Sequence, residues 1–170
     1  MSDAEAQAWI RRLDLTPHAE GGYFREIYRS MEAMPRAALP GRFPGDRVFS
    51  TSIYFLLAAG QVSLFHRLRS DEIWHHYEGG PAVLHVLDPG SGYQRLVLGR
   101  DAGRGQSHQR ILPAGCWFGA ELDVSASFLL AGCTLAPGFE YADFELAGRA
   151  ALTADFPGQA GLIARLTPDE

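Results

Sequence analysis

Two kinds of hydrophobic pattern alternate along the chain. Residues 3–13 carry apolar positions at helical spacing, and helical spacing returns after residue 146. Between them, short runs of alternating apolar and polar residues follow one another, each ended by Gly, Pro, Asp or Ser. Many short runs of this kind, separated by turn residues, predict a β-sandwich or barrel. We therefore expect one domain over residues 1–170, with an all-β barrel at about 20–146 and short helices at both ends.

The composition excludes several classes of function. The 170 residues carry a net charge of -5 and no run of Lys or Arg, which argues against nucleic-acid binding. No apolar run approaches the roughly 18–20 residues of a membrane span, so we expect no membrane insertion. The amino end lacks a positively charged start followed by an apolar stretch. With only Cys116 and Cys133, both expected as reduced thiols, we predict a cytoplasmic protein.

The run "EIWHHYEGG" at residues 72–80 has the composition of a metal site but not its geometry. On a strand, adjacent side chains point to opposite faces, so His75 and His76 cannot bind one ion together. Glu72, Trp74 and His76 share a face, yet Glu72 and His76 lie about 13 Å apart along it. Metal–ligand bonds are only about 2 Å long. The double histidine therefore does not predict a metal centre.

A better partner for Glu72 lies in the preceding run, "VSLFHRL". Strand alternation places Leu64, His66 and Leu68 on one face. If the residues "RSD" form a hairpin turn that pairs Leu68 with Glu72, His66 lies opposite Trp74 and diagonal to Glu72. Diagonal neighbours are about 7–8 Å apart, within reach of two long side chains. We therefore predict a His66–Glu72 pair facing the barrel interior, with His76 deeper on the same wall.

These residues resemble the cupin motifs. In the first cupin motif, two histidines two positions apart are followed by Glu, and by Gly seven residues after the Glu. His66, Glu72 and Gly79 match that pattern here. The second motif begins Pro-x-Gly and has a histidine three residues after the Gly. Residues 113–115 match its opening.

The resemblance is closest to the cupin-5 (DUF985) family and covers roughly residues 10 to 166. The segments that carry it are "EGGYFREIYRS", "STSIYFLL", "FHRLRSDEIWHHYEG", "PAGCWFGAEL" and "LAGCTLAPGFEYADFEL". It implies a double-stranded β-helix, the cupin jelly-roll barrel, commonly paired into a homodimer. It does not imply a reaction.

Two departures from the cupin pattern bear on cofactors. Leu68 and Phe118 stand where the motifs have histidines, so only His66 and Glu72 remain as candidate metal ligands. A divalent metal is then expected to be non-essential if it binds at all. Two alternatives stay open for this pair: a hydrogen bond that orders one barrel wall, or contact with an anionic or organic ligand.

The remaining candidates describe a small-molecule pocket, because an apolar cavity with a few convergent polar groups is typical of such sites. We expect the acid–base groups to be His66, Glu72, His76 and Tyr54. Arg25 is a candidate for binding a carboxylate or phosphate, with a surface salt bridge as its alternative. The apolar ligand-binding candidates are Trp74, Phe118, Leu64 and Leu68. The run "GFEYADFEL" is interpreted as a closing strand.

The leading hypothesis is a cupin that binds a small polar organic ligand. Any reaction would be an isomerisation or epimerisation by His and Glu acid–base chemistry, without an essential metal. A metal-dependent, dioxygenase-like cupin with an incomplete ligand set is the first alternative. The second is a binding protein that turns nothing over.

Overall fold

Antiparallel strands are the main regular structure of the protein. The computed structural model describes residues 3–168 and has thirteen strands over that range, with three α-helices at the two ends. The helices are α1 Asp3–Leu13, α2 Arg149–Asp155 and α3 Ala160–Arg165. The strands are β1 Thr16–Pro17, β2 Tyr23–Arg29, β3 Ala33–Met34, β4 Arg47–Val48, β5 Thr51–Ala58, β6 Val62–Arg67, β7 Asp71–Gly79, β8 Ala82–Asp88, β9 Gly92–Leu98, β10 Gln109–Leu112, β11 Trp117–Leu122, β12 Phe128–Ala136 and β13 Glu145–Leu146.

Eleven of the thirteen strands are arranged in two sheets packed over one core, and β3 pairs with β4 in a separate two-stranded sheet. The larger sheet has the order β1-β2-β5-β12-β7-β10, and the smaller has the order β13-β6-β11-β8-β9. From β5 to β8 the chain changes sheet at each step, which is the connectivity of a jelly roll. Buried side chains of both sheets meet in a shared core. The predicted all-β jelly-roll barrel with short terminal helices is confirmed.

Strand alternation divides β5 between two hydrophobic layers. Phe55 and Leu57 point into the barrel core, whereas Leu56 and Ala58 pack outward beneath α1. Tyr54 belongs to the outward set and packs against that second layer. The prediction that Tyr54 faces the barrel interior is therefore wrong. Because α1 covers the outer face, both faces of β5 are apolar, and hydrophobicity does not tell them apart.

The connection between β6 and β7 is not a hairpin. β6 pairs with β11 and β13, whereas β7 pairs with β12 and β10 in the other sheet. The predicted pairing of Leu68 with Glu72 is therefore wrong. The short connection instead carries the chain from one sheet to the facing one. His66 and Glu72 consequently reach the barrel interior from facing sheets and line one cavity. They do not form the predicted pair, because His66 pairs with Glu20 and Glu72 accepts a hydrogen bond from the Trp74 indole.

A β-bulge in β6 changes which of its residues face inward. Phe118 pairs with His66 and Ala120 pairs with Ser63, so three steps on β6 match two on β11. His66 and Ser63 are both buried, with exposed fractions of 1% and 0%. Leu64 lies inside the bulge and is only half-buried. The prediction that Leu64 shares the inward face of His66 is therefore wrong.

The outer face of the smaller sheet is covered by the carboxyl-terminal helices. Phe65 and Leu87 pack against Leu152, Ile163 and Leu166 in one buried cluster. None of the helices in the described part of the chain has the length and apolar character that a membrane span requires.

The segment at residues 137–144 crosses one end of the barrel, and we call it the roof. It is anchored by a buried ion pair between Arg47 and Asp143, which are 4% and 6% exposed. Arg47 donates from Nε and Nη2 to the two oxygens of Asp143, both at 2.6 Å. The predicted closing strand is thus reduced to the two residues of β13, preceded by a short 3-10 helix at Tyr141–Asp143.

We expect Asp143→Ala to lower the free energy of unfolding by about 3–5 kcal/mol, because it leaves the Arg47 guanidinium buried without its carboxylate. Urea unfolding measures the change. Glu145→Ala is the matched control, since its pair with Arg67 is about half exposed and is worth no more than about 1 kcal/mol. Similar losses in the two variants would contradict the anchoring role of Asp143.

Candidate active site

A cavity of about 270 Å³ lies between the roof and the inner face of the larger sheet. Its volume is near the lower end of the range of about 300–1,000 Å³ for small-molecule pockets. Four ionisable side chains form a polar cluster that we call the floor: His18, Glu20, His66 and Glu72. Most of the remaining wall is apolar, with Phe24, Ile53, Leu68, Leu135, Phe139 and Phe144 among its residues.

Glu20 reaches the floor from the segment between α1 and β2. Its Oε1 accepts a hydrogen bond from the Ser63 hydroxyl at 2.8 Å, and its Oε2 lies 3.2 Å from His66 Nε2. Gly21 and Gly22 follow with φ of 103° and 70°, values that favour glycine. A Cβ on Gly21 would lie 2.2 Å from the carbonyl oxygen of Val62. The two glycines therefore let this segment lie directly against β6.

The contacts of His66 determine where its protons lie. Nδ1 is 2.7 Å from the Leu64 carbonyl, which only accepts, so Nδ1 carries a proton. Nε2 and Glu20 Oε2 then share one further proton. Burial lowers the pKa of His66, and burial raises the pKa of Glu20 to about 7. Both shifts favour the neutral pair, in which the Glu20 carboxyl donates to Nε2.

Glu72 is the second buried carboxyl group on the floor, and it is 6% exposed. Its Oε2 accepts a hydrogen bond from the Trp74 indole at 2.8 Å, while Oε1 accepts none from the residues that the structure describes. Burial first, and then the nearby Glu20 carboxyl, raise the pKa of Glu72 to about 7. Two carboxyl groups therefore titrate in the same range inside one cavity.

His18 completes the floor as a neutral imidazole. Its Nδ1 accepts the backbone N–H of Glu20 at 3.2 Å, so the proton of the neutral ring is on Nε2. Burial lowers the pKa of His18 against the opposing effect of Glu20. The ring packs edge-on against Phe24, with 4.5 Å between ring centroids. His18 therefore offers the cavity a hydrogen-bond donor rather than a positive charge.

Arg29 links the mouth of the cavity to the roof. Its guanidinium donates to both oxygens of Glu26, at 2.9 and 3.0 Å, and to Glu140 at 2.9 Å. It also donates to the carbonyl of Phe139 at 3.1 Å. These contacts join β2 to the roof, so Arg29 holds the cavity wall together.

Three of the predicted site residues line this cavity: His66, Glu72 and Leu68. Trp74 and Phe118 lie behind them, each 1% exposed. Trp74 holds Glu72 through its indole, and the Phe118 ring packs 4.2 Å from the ring of His66. These two residues position the polar groups instead of contacting a ligand.

His76, Tyr54 and Arg25 do not belong to this cavity, contrary to the prediction. His76 follows Glu72 by four residues along β7, beside a bulge, and its Nε2 hydrogen-bonds the Gly80 carbonyl at 3.3 Å. Tyr54 lies on the outer face of the larger sheet. Arg25 alternates with the inward Phe24, so its guanidinium points outward and donates to the carbonyl of Leu13 at 3.1 Å.

The sequence reasoning missed His18 and Glu20 altogether. The available signal was local: a His-x-Glu pair directly before two glycines, at residues 18–22. Consecutive glycines mark a place where the backbone adopts positive φ or approaches another chain segment closely. That closeness brings Glu20 to His66, a contact between residues 46 positions apart that no strand periodicity predicts.

The positions of the floor side chains determine whether they can hold a metal ion. Among residues 3–168, no group of three or more His, Cys, Asp and Glu side chains is placed to hold a metal ion. Both ring nitrogens of His66 have partners already, in the Leu64 carbonyl and Glu20. The floor as arranged does not fit a metal centre, and its own chemistry is that of carboxyl and imidazole groups.

Comparison with protein families identifies the chain. A family model described as Cupin superfamily (DUF985) matches residues 7–147. The chain belongs to this family. The DUF985 cupin is similar over nearly its whole length to protein SO0799 from Shewanella oneidensis, with 36% identity, a TM-score of 0.87 and coverage of 97% of this chain and 98% of that chain.

A hypothetical protein from Leishmania major is similar to the same extent, with 34% identity, a TM-score of 0.87 and coverage of 96% of this chain and 99% of that chain. Oxalate decarboxylase from Bacillus subtilis is a more distant structural relative. It shares 16% identity at a TM-score of 0.55, over 93% of this chain and 38% of that one, so it shows the fold alone. Comparison with curated proteins finds no match.

We expect the effect of Glu72→Gln on the free energy of unfolding to be more stabilising at pH 8 than at pH 4. The pKa of Glu72 rises from 4.5 to about 7 on folding, so between these values the folded state holds a proton that the unfolded chain has released. Stability therefore falls as the pH rises through this window, and glutamine removes that loss. The expected difference is on the order of 3 kcal/mol.

Urea unfolding from pH 4 to pH 8 measures this difference. Glu78→Gln, an exposed position on the same strand, is the matched control and should show no comparable dependence on pH. A pH-independent effect of Glu72→Gln would show that the Glu72 carboxyl is not perturbed.

Proposed function

We propose that this cupin binds a small organic ligand in the cavity and moves a proton on it, as an isomerase or epimerase. One observation carries the proposal: two buried carboxyl groups with pKa values of about 7 lie with two imidazoles on the floor of one apolar cavity. Groups of this kind suit proton transfer, because a general acid or base works best when its pKa lies near the operating pH.

The two carboxyl groups differ in their surroundings and therefore in the role we assign to each. One oxygen of Glu72 accepts no hydrogen bond from residues 3–168, and we assign this residue the role of base. Glu20 shares a proton with His66, and we assign that pair the role of acid. Separate environments of this kind are how two carboxyl groups take opposite roles in one site.

The proposed step is balanced within the ligand. Glu72 removes a proton from a carbon next to a carbonyl group, and the electrons of the C–H bond move into the enolate. The Glu20–His66 pair supplies a proton when the C–H bond forms again at the same carbon or a neighbouring one. No oxidant, reductant or second substrate is required. The apolar walls keep water away and strengthen these charge interactions.

We expect the protein, incubated in D₂O with a library of small carbonyl compounds, to exchange a carbon-bound hydrogen of its ligand for deuterium. Mass spectrometry detects the exchange. Glu72→Gln should lower the rate by about 100-fold or more, since it removes the base. Tyr54→Phe is the control, because Tyr54 lies outside the cavity.

Equal exchange by Glu72→Gln and the parent protein would exclude Glu72 as the base. Thermal stabilisation by a library compound that shows no exchange would indicate a binding protein without turnover.

A further inference from the structure

Acidic side chains outnumber basic ones around the cavity. Glu20 and Glu72 lie on the floor, and Glu26 and Glu140 lie at the mouth. Among the lining residues, Arg29 is the only arginine or lysine. Its charge is already matched, since it donates to both mouth carboxylates. The lining therefore has no free positive charge for an anionic ligand.

Aromatic rings of the roof line the same cavity. The Phe139 and Tyr141 rings lie 5.0 Å apart at 79°, and the Tyr141 and Phe144 rings lie 6.4 Å apart at 79°. Phe139 and Phe144 lie 6.3 Å apart at 66°. Rings at these angles and separations pack edge to face on one another, and together they give this side of the cavity an aromatic surface that can attract a cation.

The floor also lacks a partner at one defined atom. Glu72 is more than nine-tenths buried, lines the cavity, and has no hydrogen bond to Oε1 from any described residue. A buried carboxylate needs a counter-charge or hydrogen bonds to be stable. The Trp74 indole supplies one neutral hydrogen bond to Glu72. A positive charge in the cavity would supply the counter-charge that this carboxylate lacks.

We infer that the ligand of this cavity is a small organic cation, with an alkylammonium group held between the aromatic rings of the roof and the Glu72 carboxylate of the floor. The inference rests on the proposed function, because it names the ligand class of the same cavity. An aromatic surface alone would serve a neutral apolar group equally well. The unmatched Glu72 carboxylate distinguishes the cation from that alternative, and the absence of a free cation in the lining disfavours an anion.

Isothermal titration calorimetry at pH 8 tests the inference with three probes. Choline and tetramethylammonium carry the charge, and 3,3-dimethylbutan-1-ol is the neutral isostere of choline. We expect choline to bind about 10-fold or more tightly than the isostere, because a desolvated cation over aromatic rings gains an attraction that a neutral group lacks. Glu72→Gln should reduce this preference.

Two ring variants test the aromatic surface directly. Phe139→Leu and Tyr141→Leu keep an apolar side chain but remove a π-face, and each should weaken choline binding by about 5-fold or more while leaving the isostere nearly unchanged. Tyr141 is 62% exposed, so its variant tests the aromatic surface even if the Phe139 variant is poorly folded. Phe49→Leu, outside the cavity lining, is the control and should change neither affinity.

Equal affinity for choline and its neutral isostere would overturn the inference, and so would failure of both cations to bind at millimolar concentration. Deuterium exchange on a neutral carbonyl compound in the same preparation would then leave the proposed function standing. Tight choline binding that the ring variants weaken, without any exchange activity, would support the ligand class and reject turnover.

Discussion

The contact between Glu20 Oε2 and His66 Nε2 determines how the rest of the site is built. It joins the segment after α1 to the inner face of β6, and the Ser63 hydroxyl and the Leu64 carbonyl fix the two groups from either side. Because both residues are buried, the pair is stable only if a proton stays between them. The same burial lowers the pKa of His66 and raises the pKa of Glu20, and both shifts favour the neutral forms. The floor is therefore a proton-sharing cluster rather than an ordinary salt bridge.

The remaining parts of the cavity follow from that cluster. Glu72 comes from the facing sheet and has its pKa raised partly by Glu20, so the two carboxyl groups act on each other across the interior. Trp74 and Phe118, which are buried aromatic residues, hold Glu72 and His66 in place. The roof encloses the cluster with aromatic rings and is itself anchored by Arg47 and Arg29. Leu68 and Phe118 thus replace two histidines of the cupin metal motifs in a site that is organised around shared protons.

Periodicity and the resemblance to cupins were enough to predict the barrel and the terminal helices. They were not enough to predict which side chains pair inside the barrel, where His66 pairs with Glu20 and Glu72 accepts a hydrogen bond from Trp74. A three-residue connection fits a hairpin as well as a crossing between sheets, and the alternation within each strand is the same in both cases. A one-residue irregularity also moves side chains to the other face, as the bulge in β6 does to Leu64. Tyr54 was misplaced for a different reason, since α1 makes the outer face of β5 apolar too.

The largest omission, Glu20, has a physical cause as well. It lies in an irregular segment where two glycines adopt positive φ, and neither strand nor helix periodicity applies to such a segment. Its importance arises from a long-range contact that only the folded chain creates. The aromatic residues of the roof were visible in the sequence, but the run "GFEYADFEL" alternates well enough to be interpreted as a strand. The Arg47–Asp143 pair instead holds it across the end of the barrel.

A carboxyl ¹³C NMR titration of the glutamate-labelled protein tests the central claim most directly, with Glu20→Gln and Glu72→Gln assigning the two signals. The account predicts two carboxyl groups that titrate near pH 7, and a shift in each titration when the other residue is replaced, because the groups interact. Titration of both groups near their ordinary pKa of 4.5, independently of each other, would contradict the proton-sharing floor on which the proposed function depends.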